Sequence, residues 1–347
     1  MRKVLVTGGA GFIGSNFVRY LLNSDQDVEI VNLDALTYAG SLENLNDLPN
    51  PDRHQFVKGD VNDKELIAGL LSENAVDTIV HFAAETHVDR SIANADQFLE
   101  TNVQGTLRLL QAAREYWLEG EKDSPNQVRF HHISTDEVYG SLSFDEPAWT
   151  ERSPYAPNSP YAATKAASDH LVRAYGHTHG LPFTITTCSN NYGPHQYPEK
   201  LIPLVIANAL KGEKLPIYGD GKNIRDWIFV RDHCRAIDFV LSRGVPGETY
   251  NIGGGNQPSN VEVVEMVCEI LDRLKPDSPF CPHHQLIEFV SDRPGHDLRY
   301  ALNAEKIKRK VGWKPTYGLE EGLTETVKWY LDHPHWLKKM VAKRDAG

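Results

Sequence analysis

Short, nearly unbroken runs of aliphatic and β-branched residues recur through the first half of the chain: Lys3–Thr7, Glu29–Asp34, Gln55–Asp60, Thr78–Ala83, Arg129–Ser134 and Thr184–Cys188. Runs without strict polar–apolar alternation suit strands covered on both faces. Longer stretches between them carry helical patterning and open near Gly11, Asp63, Asn94 and Ser159. The alternation predicts an α/β fold, a doubly wound parallel sheet with helices on each side. Each strand candidate ends in a small or polar residue, where an open sheet of this kind builds its ligand crevice.

After Asn190 the rhythm changes. Loops lengthen and fill with Gly and Pro, as in SNNYGPHQYPEK, YGDGKNIRDW, GGGNQPSN and SDRPGHD, with helical stretches at Val261–Lys275 and Leu319–Asp332. The expected division is a first domain over residues 1–190 and a smaller α/β lobe over 191–347. Segments near 227–253 (Trp227–Val230 and Tyr250–Ile252) are candidates to return to the first sheet.

Composition narrows the functions this fold can serve. The net charge of −11 over 347 residues argues against a duplex nucleic-acid partner, which needs clustered Lys and Arg. No apolar run has membrane-spanning length, and the first residues lead directly into a strand without a signal-peptide pattern. The four cysteines, Cys188, Cys234, Cys268 and Cys281, form no CxxC pair. Free thiols in a reducing cytosol are expected, and no metal site. The pair His283-His284 reads as solvated surface.

The first strand runs into a turn with glycines at Gly8, Gly11 and Gly14, then into a helix. Glycines there permit a tight turn, close approach of backbone to a pyrophosphate, and close helix–strand packing, while the helix N-terminus offers unpaired N–H groups. Phe12 and Ile13 lie inside that turn. Such a turn is common in itself, but Asp34 ends the next strand 20 residues beyond Gly14. A carboxylate at that place binds adenosine ribose hydroxyls and repels a 2′-phosphate, so NAD is expected over NADP. The pattern makes the expected fold Rossmann-type, with Ala35, Leu36 and Thr37 following Asp34 around the adenosine. Asp60-Val61 is placed to bracket the adenine, or Asp60 to cap the next helix.

Four segments, TGGAGFIG, HFAAETHVDRS, STDEVYG and YAATK, resemble the extended short-chain dehydrogenase/reductases. Within them, TDE, SPYAPNSPYAATKAASDHLVRAY, SNNYGPHQYPEKLIP and GDGKNIRDWIFVRDHCRA look like the nucleotide-sugar 4,6-dehydratases, those acting on dTDP-glucose in particular. The likeness covers nearly the whole chain and thins near Glu119–Asn126 and over the last dozen residues. It implies oxidation of the sugar C4 hydroxyl with hydride passing to NAD, loss of water across C5–C6, and return of the hydride to C6. It assigns Glu137 as base at C5, Asp136 as acid on the C6 oxygen, and Thr135 beside Tyr161 on the C4 oxygen. Tyr161 and Lys165 sit one helical turn apart, and an ammonium there would favour the phenolate. Two adjacent carboxyls can hold different protonation states when crowding and burial separate them.

The same resemblance implies cofactor contacts from Phe82, Ala83, Ala84, Glu85, Thr86, Thr101 and Asn191. It implies nucleotide-sugar contacts from Thr86, Asn190, Lys200, Leu201, Pro216, Ile217, Tyr218, Arg225, Asn260, Asp292, Arg293, Pro294, Gly295 and His296. Arg225 suits a diphosphate clamp, since a guanidinium grips such oxygens bidentately; its bland alternative is an ion pair with Asp226 or Asp220. Thr86 stands where the family pattern leads one to expect Ser.

Competing readings stay open. A UDP- or other nucleotide-sugar 4,6-dehydratase shares the core chemistry. A 4-epimerase or a UDP-glucuronate decarboxylase shares the Tyr/Lys pair but leaves Asp136 without a task. A catalytically dead dinucleotide sensor would have been free to lose the acid–base residues. Apolar positions beyond one helix face, Leu107, Leu110, Ala113 and Tyr116 on one helix and Ala162, Ala166, Leu171 and Ala174 on the next, predict a homodimer through a four-helix bundle.

Overall fold

The computed structural model describes residues 2–120, 128–292 and 295–346. Most of the acidic stretch where the resemblance thins, and the contact candidates Arg293 and Pro294, lie outside the described residues.

The early apolar runs become β1 (Arg2–Thr7), β2 (Val28–Asp34), β3 (His54–Lys58), β4 (Thr78–His81), β5 (Arg129–Thr135) and β6 (Phe183–Cys188). Between them come α1 (Phe12–Ser24), α2 (Lys64–Glu73), α3 (Val88–Ala93), the single turn α4 (Asp96–Phe98), α5 (Thr106–Leu118) and α6 (Pro160–His179). One turn of π-helix, Leu99–Gly105, leads into α5 and carries Thr101. The helix after β3 is capped by Asp63, whose side chain accepts from Leu66 N, so Asp60 does not cap it.

Beyond β6 follow β7 (Asn190–Tyr192), α7 (Leu201–Ala209), β8 (Leu215–Tyr218), β9 (Trp227–Phe229), α8 (Val230–Arg243), β10 (Glu248–Ile252), α9 (Asn260–Leu274), β11 (Ile287–Val290), α10 (Glu305–Val311), α11 (Leu319–Asp332) and α12 (Pro334–Ala346). Seven parallel strands form the central sheet in the order β10-β6-β5-β4-β1-β2-β3. The strand order reverses between β1 and β4, which opens a crevice at their C-terminal ends. Of the two segments expected back in this sheet, Glu248–Ile252 joins it beside β6. Trp227–Phe229 pairs with Asn190–Tyr192 in a separate two-stranded ladder instead.

Two apolar layers flank the sheet. One centres on Leu5, Ile79, Leu109, Trp117 and Phe130, under α2 and α5, and the other on Val4, Phe17, Leu21, Val80 and Ile237, under α1 and α8. A further core forms among residues beyond Asn190, in which Val205, Val264, Leu271, Val327 and Tyr330 are fully buried. Helix α12 reaches back from this core to the loop after β2. Trp336 Nε1 donates to Asn44 Oδ1 (2.8 Å), and Lys343 Nζ to the carbonyls of Thr37 (3.1 Å) and Gly40 (2.8 Å).

Two expectations are corrected by burial. His283 is fully buried, with Nδ1 against Asp272 Oδ1 at 2.5 Å, while His284 stays exposed. Of the positions assigned to a dimer face, Leu110, Ala113, Ala162 and Ala166 are buried within their own chain: Leu110 and Ala113 where α5 packs between α2 and α6, and Ala166 against Val138, Leu142, Trp149 and Leu302. Leu107, Tyr116 and Leu171 are part-buried and Ala174 is exposed.

Candidate active site

The site begins with what the β1–α1 turn leaves open. Gly11 caps α1 without a side-chain hydrogen bond, so the first amides of the helix face the crevice. Gly8 takes φ +72°, and a Cβ there would meet Ala83 N at 2.7 Å; at Gly14 a Cβ would meet Gly8 O at 2.3 Å. Only glycine allows both the turn and this packing. Asp34 is buried at the end of β2, its two oxygens accepting from Ala10 N (2.8 Å) and Leu36 N (2.7 Å). Burial raises its pKa, and those two bonds and Lys343 act against that rise.

From this turn a cavity of about 330 Å³ runs along the strand ends to β5 and α6. Its lining brings together Gly8, Gly11–Gly14, Asp34, Ala35, Thr37, Asp60, Val61, Phe82–Thr86, Thr101, Thr135–Glu137, Tyr161, Lys165, Asn190, Asn191 and Lys200. Leu36 turns away at φ +56° and contributes its amide to Asp34. The lining also includes Tyr38, Cys188, Gln196, Tyr197 and Glu199, which the sequence did not single out. Glu199 adjoins Lys200 inside a quoted segment and was open to notice. Tyr38 comes to the cavity through the loop after Asp34, for which periodicity carries no signal.

At the far wall, the end of β5 delivers Thr135, the 3-10 turn Asp136–Tyr139 after it delivers Asp136 and Glu137, and the first turn of α6 delivers Tyr161. Ser159 caps that helix by accepting from Ala162 N, and Pro160 occupies its first turn. The Thr135 hydroxyl accepts from Glu137 N at 3.4 Å and acts to lower the pKa of Tyr161. Asp136 is wholly buried; desolvation, then Glu137 and Asp226, raise its pKa well above the carboxylate range. Its Oδ2 has no hydrogen-bond partner. Burial thus favours the acid form of this carboxyl, the form that can give a proton to a ligand oxygen.

Tyr161 is buried at this wall. Burial and then Glu137 hold its phenol protonated, with a pKa well above the usual value. Lys165 Nζ donates to Ile133 O at 2.7 Å, and burial lowers its own pKa. In this conformation desolvation outweighs any ammonium effect on the phenol.

The remaining predicted contacts fall outside the cavity lining, in a second cluster. Leu201 opens α7, Pro216, Ile217 and Tyr218 lie in β8, and Asn260 opens α9 behind the cap Ser259. Tyr218 packs edge-on against His296, whose Nδ1 lies 2.6 Å from Asp292 Oδ1. Gly295 sits beside this pair at φ +65°. Arg225, 5% exposed, donates to the carbonyls of Ile224 and Asp297 and lies 4.2 Å over the Tyr300 ring. Asp220 pairs with Lys222 instead. Arg225 also lowers the pKa of Asp136, which links the cluster to the far wall.

The donor set fits a dinucleotide and a polar ligand beside it: open helix amides, a ribose-height carboxylate, and buried oxygens without partners on Asp136, Ser189, Asn190, Gln196 and Glu199. Among the described residues no group of His, Cys, Asp and Glu is arranged to hold a metal ion, and no helix is long and apolar enough to cross a membrane.

Comparison with known proteins agrees with this geometry. The family model described as GDP-mannose 4,6 dehydratase matches residues 5–326. The chain is 52% identical to a dTDP-glucose 4,6-dehydratase of Escherichia coli, covering 99% of this chain and 98% of that protein. A dTDP-glucose 4,6-dehydratase from Streptomyces venezuelae, solved with NAD and TDP bound, superposes with a TM-score of 0.88 at 48% identity over 97% of this chain and 99% of that one. A UDP-glucose 4-epimerase from Thermotoga maritima, solved with UDP-glucose, shares the fold at a TM-score of 0.83 and 28% identity over 96% and 99% of the two chains.

Proposed function

The chain belongs to the GDP-mannose 4,6 dehydratase family, and from that membership we propose that it is an NAD-dependent hydro-lyase converting dTDP-glucose to dTDP-4-keto-6-deoxyglucose and water. NAD bound along the strand ends would supply a hydride acceptor for C4 and return that hydride to C6. The rest of the work falls to side chains of this chain. Tyr161, beside Thr135, would receive the C4 hydroxyl proton once the positive charge of Lys165 and of the bound nicotinamide have brought its phenol to the ionised form. Glu137 takes the C5 proton, made acidic by the neighbouring ketone. Asp136 protonates the departing C6 hydroxyl.

The observation that carries this reading is the buried Asp136 carboxyl, its Oδ2 without a hydrogen-bond partner, in one cavity wall with Glu137 and Tyr161. A 4-epimerase has no use for such an acid, since it expels no hydroxyl. Asp34 at the ribose supports NAD over NADP, and Arg225 supports capture of a diphosphate. The 52% identity to a dTDP-glucose enzyme supports thymidine as the base. We further propose a cytoplasmic homodimer, with Leu107, Leu171 and Ala174 remaining to meet a second copy. Incubating the protein with NAD+ and each of the dTDP-, UDP-, GDP- and CDP-glucoses tests the assignment. A 4-keto-6-deoxy product from dTDP-glucose is expected; a C4 epimer, or product only from another base, would overturn it. Sedimentation at micromolar concentration tests the dimer, and an active monomer would remove it.

A further inference from the structure

Tyr161, Lys165 and Asp169 follow one another at four-residue steps, so they share one face of α6. The third of them has no part in the chemistry above, yet its side chain is fully buried and densely contacted. Asp169 Oδ2 accepts from Ser134 Oγ (2.8 Å) and from Tyr155 OH (2.7 Å), while Oδ1 lies 3.3 Å from His132 Nε2. Ser134 precedes Thr135 on β5, and the preceding carbonyl, that of Ile133, receives Lys165 Nζ. Lys165 and Asp169 therefore grip consecutive residues at the strand end that carries the acid–base pair.

An ammonium as buried as Lys165 releases its proton unless an anion stands near it. The ionisable groups around it come from each packed element: His81 on β4, His132 on β5, Cys188 on β6, and Tyr161 and Asp169 on α6. Asp136 and Glu137 face Tyr161, and Arg173 sits behind Asp169 on Tyr155. Burial pushes His81 well down and His132 to about 4, so both imidazoles are neutral at pH 7. Cys188 is pushed up to about 12 and keeps its proton. Asp169 alone among the buried carboxyls of this wall is held below the usual range, against full desolvation, by His132, Lys165 and Tyr155. One helical turn from Lys165 and buried with it, this charge acts to raise the Lys165 pKa against desolvation.

We propose that Asp169 is a positioning residue of the reaction, the buried counter-charge that keeps Lys165 an ammonium and, through Ser134, holds the end of β5 in register with α6. The proposal rests on the reading of Tyr161 and Lys165 as the pair that oxidises C4. Removing the negative charge lowers the pH at which Lys165 loses its proton, so the alkaline limb of C4 oxidation moves down.

The test is single-turnover formation of reduced cofactor from NAD-loaded protein and dTDP-glucose across pH. Asp169→Asn is expected to shift the alkaline limb down by about one pH unit, a tenfold change in proton affinity. Ser134→Ala and Tyr155→Phe, which remove donors but keep the charge, are expected to leave the limb in place. An Asp169→Asn profile superimposed on the wild type, or an equal shift in Ser134→Ala, would overturn the proposal. A second measurement needs no substrate and decides the matter even if Asp169→Asn folds poorly. Lys165→Met/Asp169→Asn is expected to melt above Asp169→Asn alone, because the double variant buries no unpaired charge. A double variant that melts lower sinks the pairing. Wild-type protein that reduces no cofactor with any nucleotide-glucose would instead overturn the functional reading, and the melting comparison would still judge Asp169.

Discussion

The wall made by β5 and α6 and the cluster around Tyr218, Arg225 and His296 would face two ends of one ligand, yet they are built differently. At the wall, a strand end and a helix N-terminus hold Thr135, Asp136 and Tyr161 in a dry interior, where every acidity is set by burial and near neighbours. In the cluster, element ends and loops carry the contacts: Tyr218, at the end of β8, is 44% exposed, and Asp292 and His296, in the loop after β11, pair with each other outside the cavity. The difference teaches where each kind of precision is needed. Proton transfer depends on groups fixed to within fractions of an ångström and kept from water. Recognition of a nucleotide tolerates loops that adjust when the ligand arrives.

The largest effect is expected at the wall. Asp136→Asn should cut turnover by about 10²–10⁴-fold, the usual contribution of a positioned acid, while C4 oxidation continues and reduced-cofactor absorbance persists. Turnover like that of the wild type would remove Asp136 from its role. Glu137→Gln should abolish exchange of the C5 proton with solvent deuterium.

The next prediction uses pH. Burial raises the Asp136 pKa, and the acid form is lost as pH climbs through that raised value. Dehydration should therefore fail first on the alkaline side, with reduced cofactor accumulating there. Failure confined to acid pH would mean that Asp136 works ionised.

A moderate effect is expected in the loop cluster. Arg225→Lys should raise KM for the nucleotide sugar by about tenfold with kcat little changed, the signature of lost uniform binding. An equal fall in kcat would erase the contrast between the two regions. At the opposite end of the cavity, Asp34→Asn should weaken NAD by a similar factor and lessen discrimination against NADP, read by cofactor titration. The smallest effect belongs to Phe289→Ser on β11, where the ring is 56% exposed. Thermal unfolding should change by no more than about 0.5 kcal/mol.

The same contrast governs what could be read from the sequence. Strands β1 to β6 were legible because each is an apolar run bounded by turn residues, and Asp34 because it ends the strand after the glycine turn; Asp136, Tyr161 and Lys165 stood out through the family resemblance, not through spacing alone. The segment WIF was not. An apolar triplet pairs as well with one ladder as another, and tertiary packing set it beside Asn190–Tyr192. His283 was misread because its neighbours in sequence are polar, while its partner Asp272 lies one helix back. For α5 and α6 the helical pattern marked apolar positions correctly, but not that Leu110 and Ala166 meet their own chain. Ties between distant residues, such as Glu199 near His87 or Arg225 over Tyr300, carry no sequence period at all.

One tie spans nearly the whole chain. Trp336 holds Asn44, Asn44 Nδ2 holds the Ala10 carbonyl in the glycine turn, and Lys343 holds the loop at Thr37 and Gly40. The turn and its loop leave the ribosome early, while the residues that fasten them follow some 300 positions later; the Lys343–Gly40 contact is separated by 303. The nascent β1–α1 unit thus waits through most of translation with its adenosine loop unfastened. Ribosome-bound fragments that stop before Trp336 should hold this loop open to proteases, and longer ones should protect it; equal cleavage in both would show that the loop closes without α12.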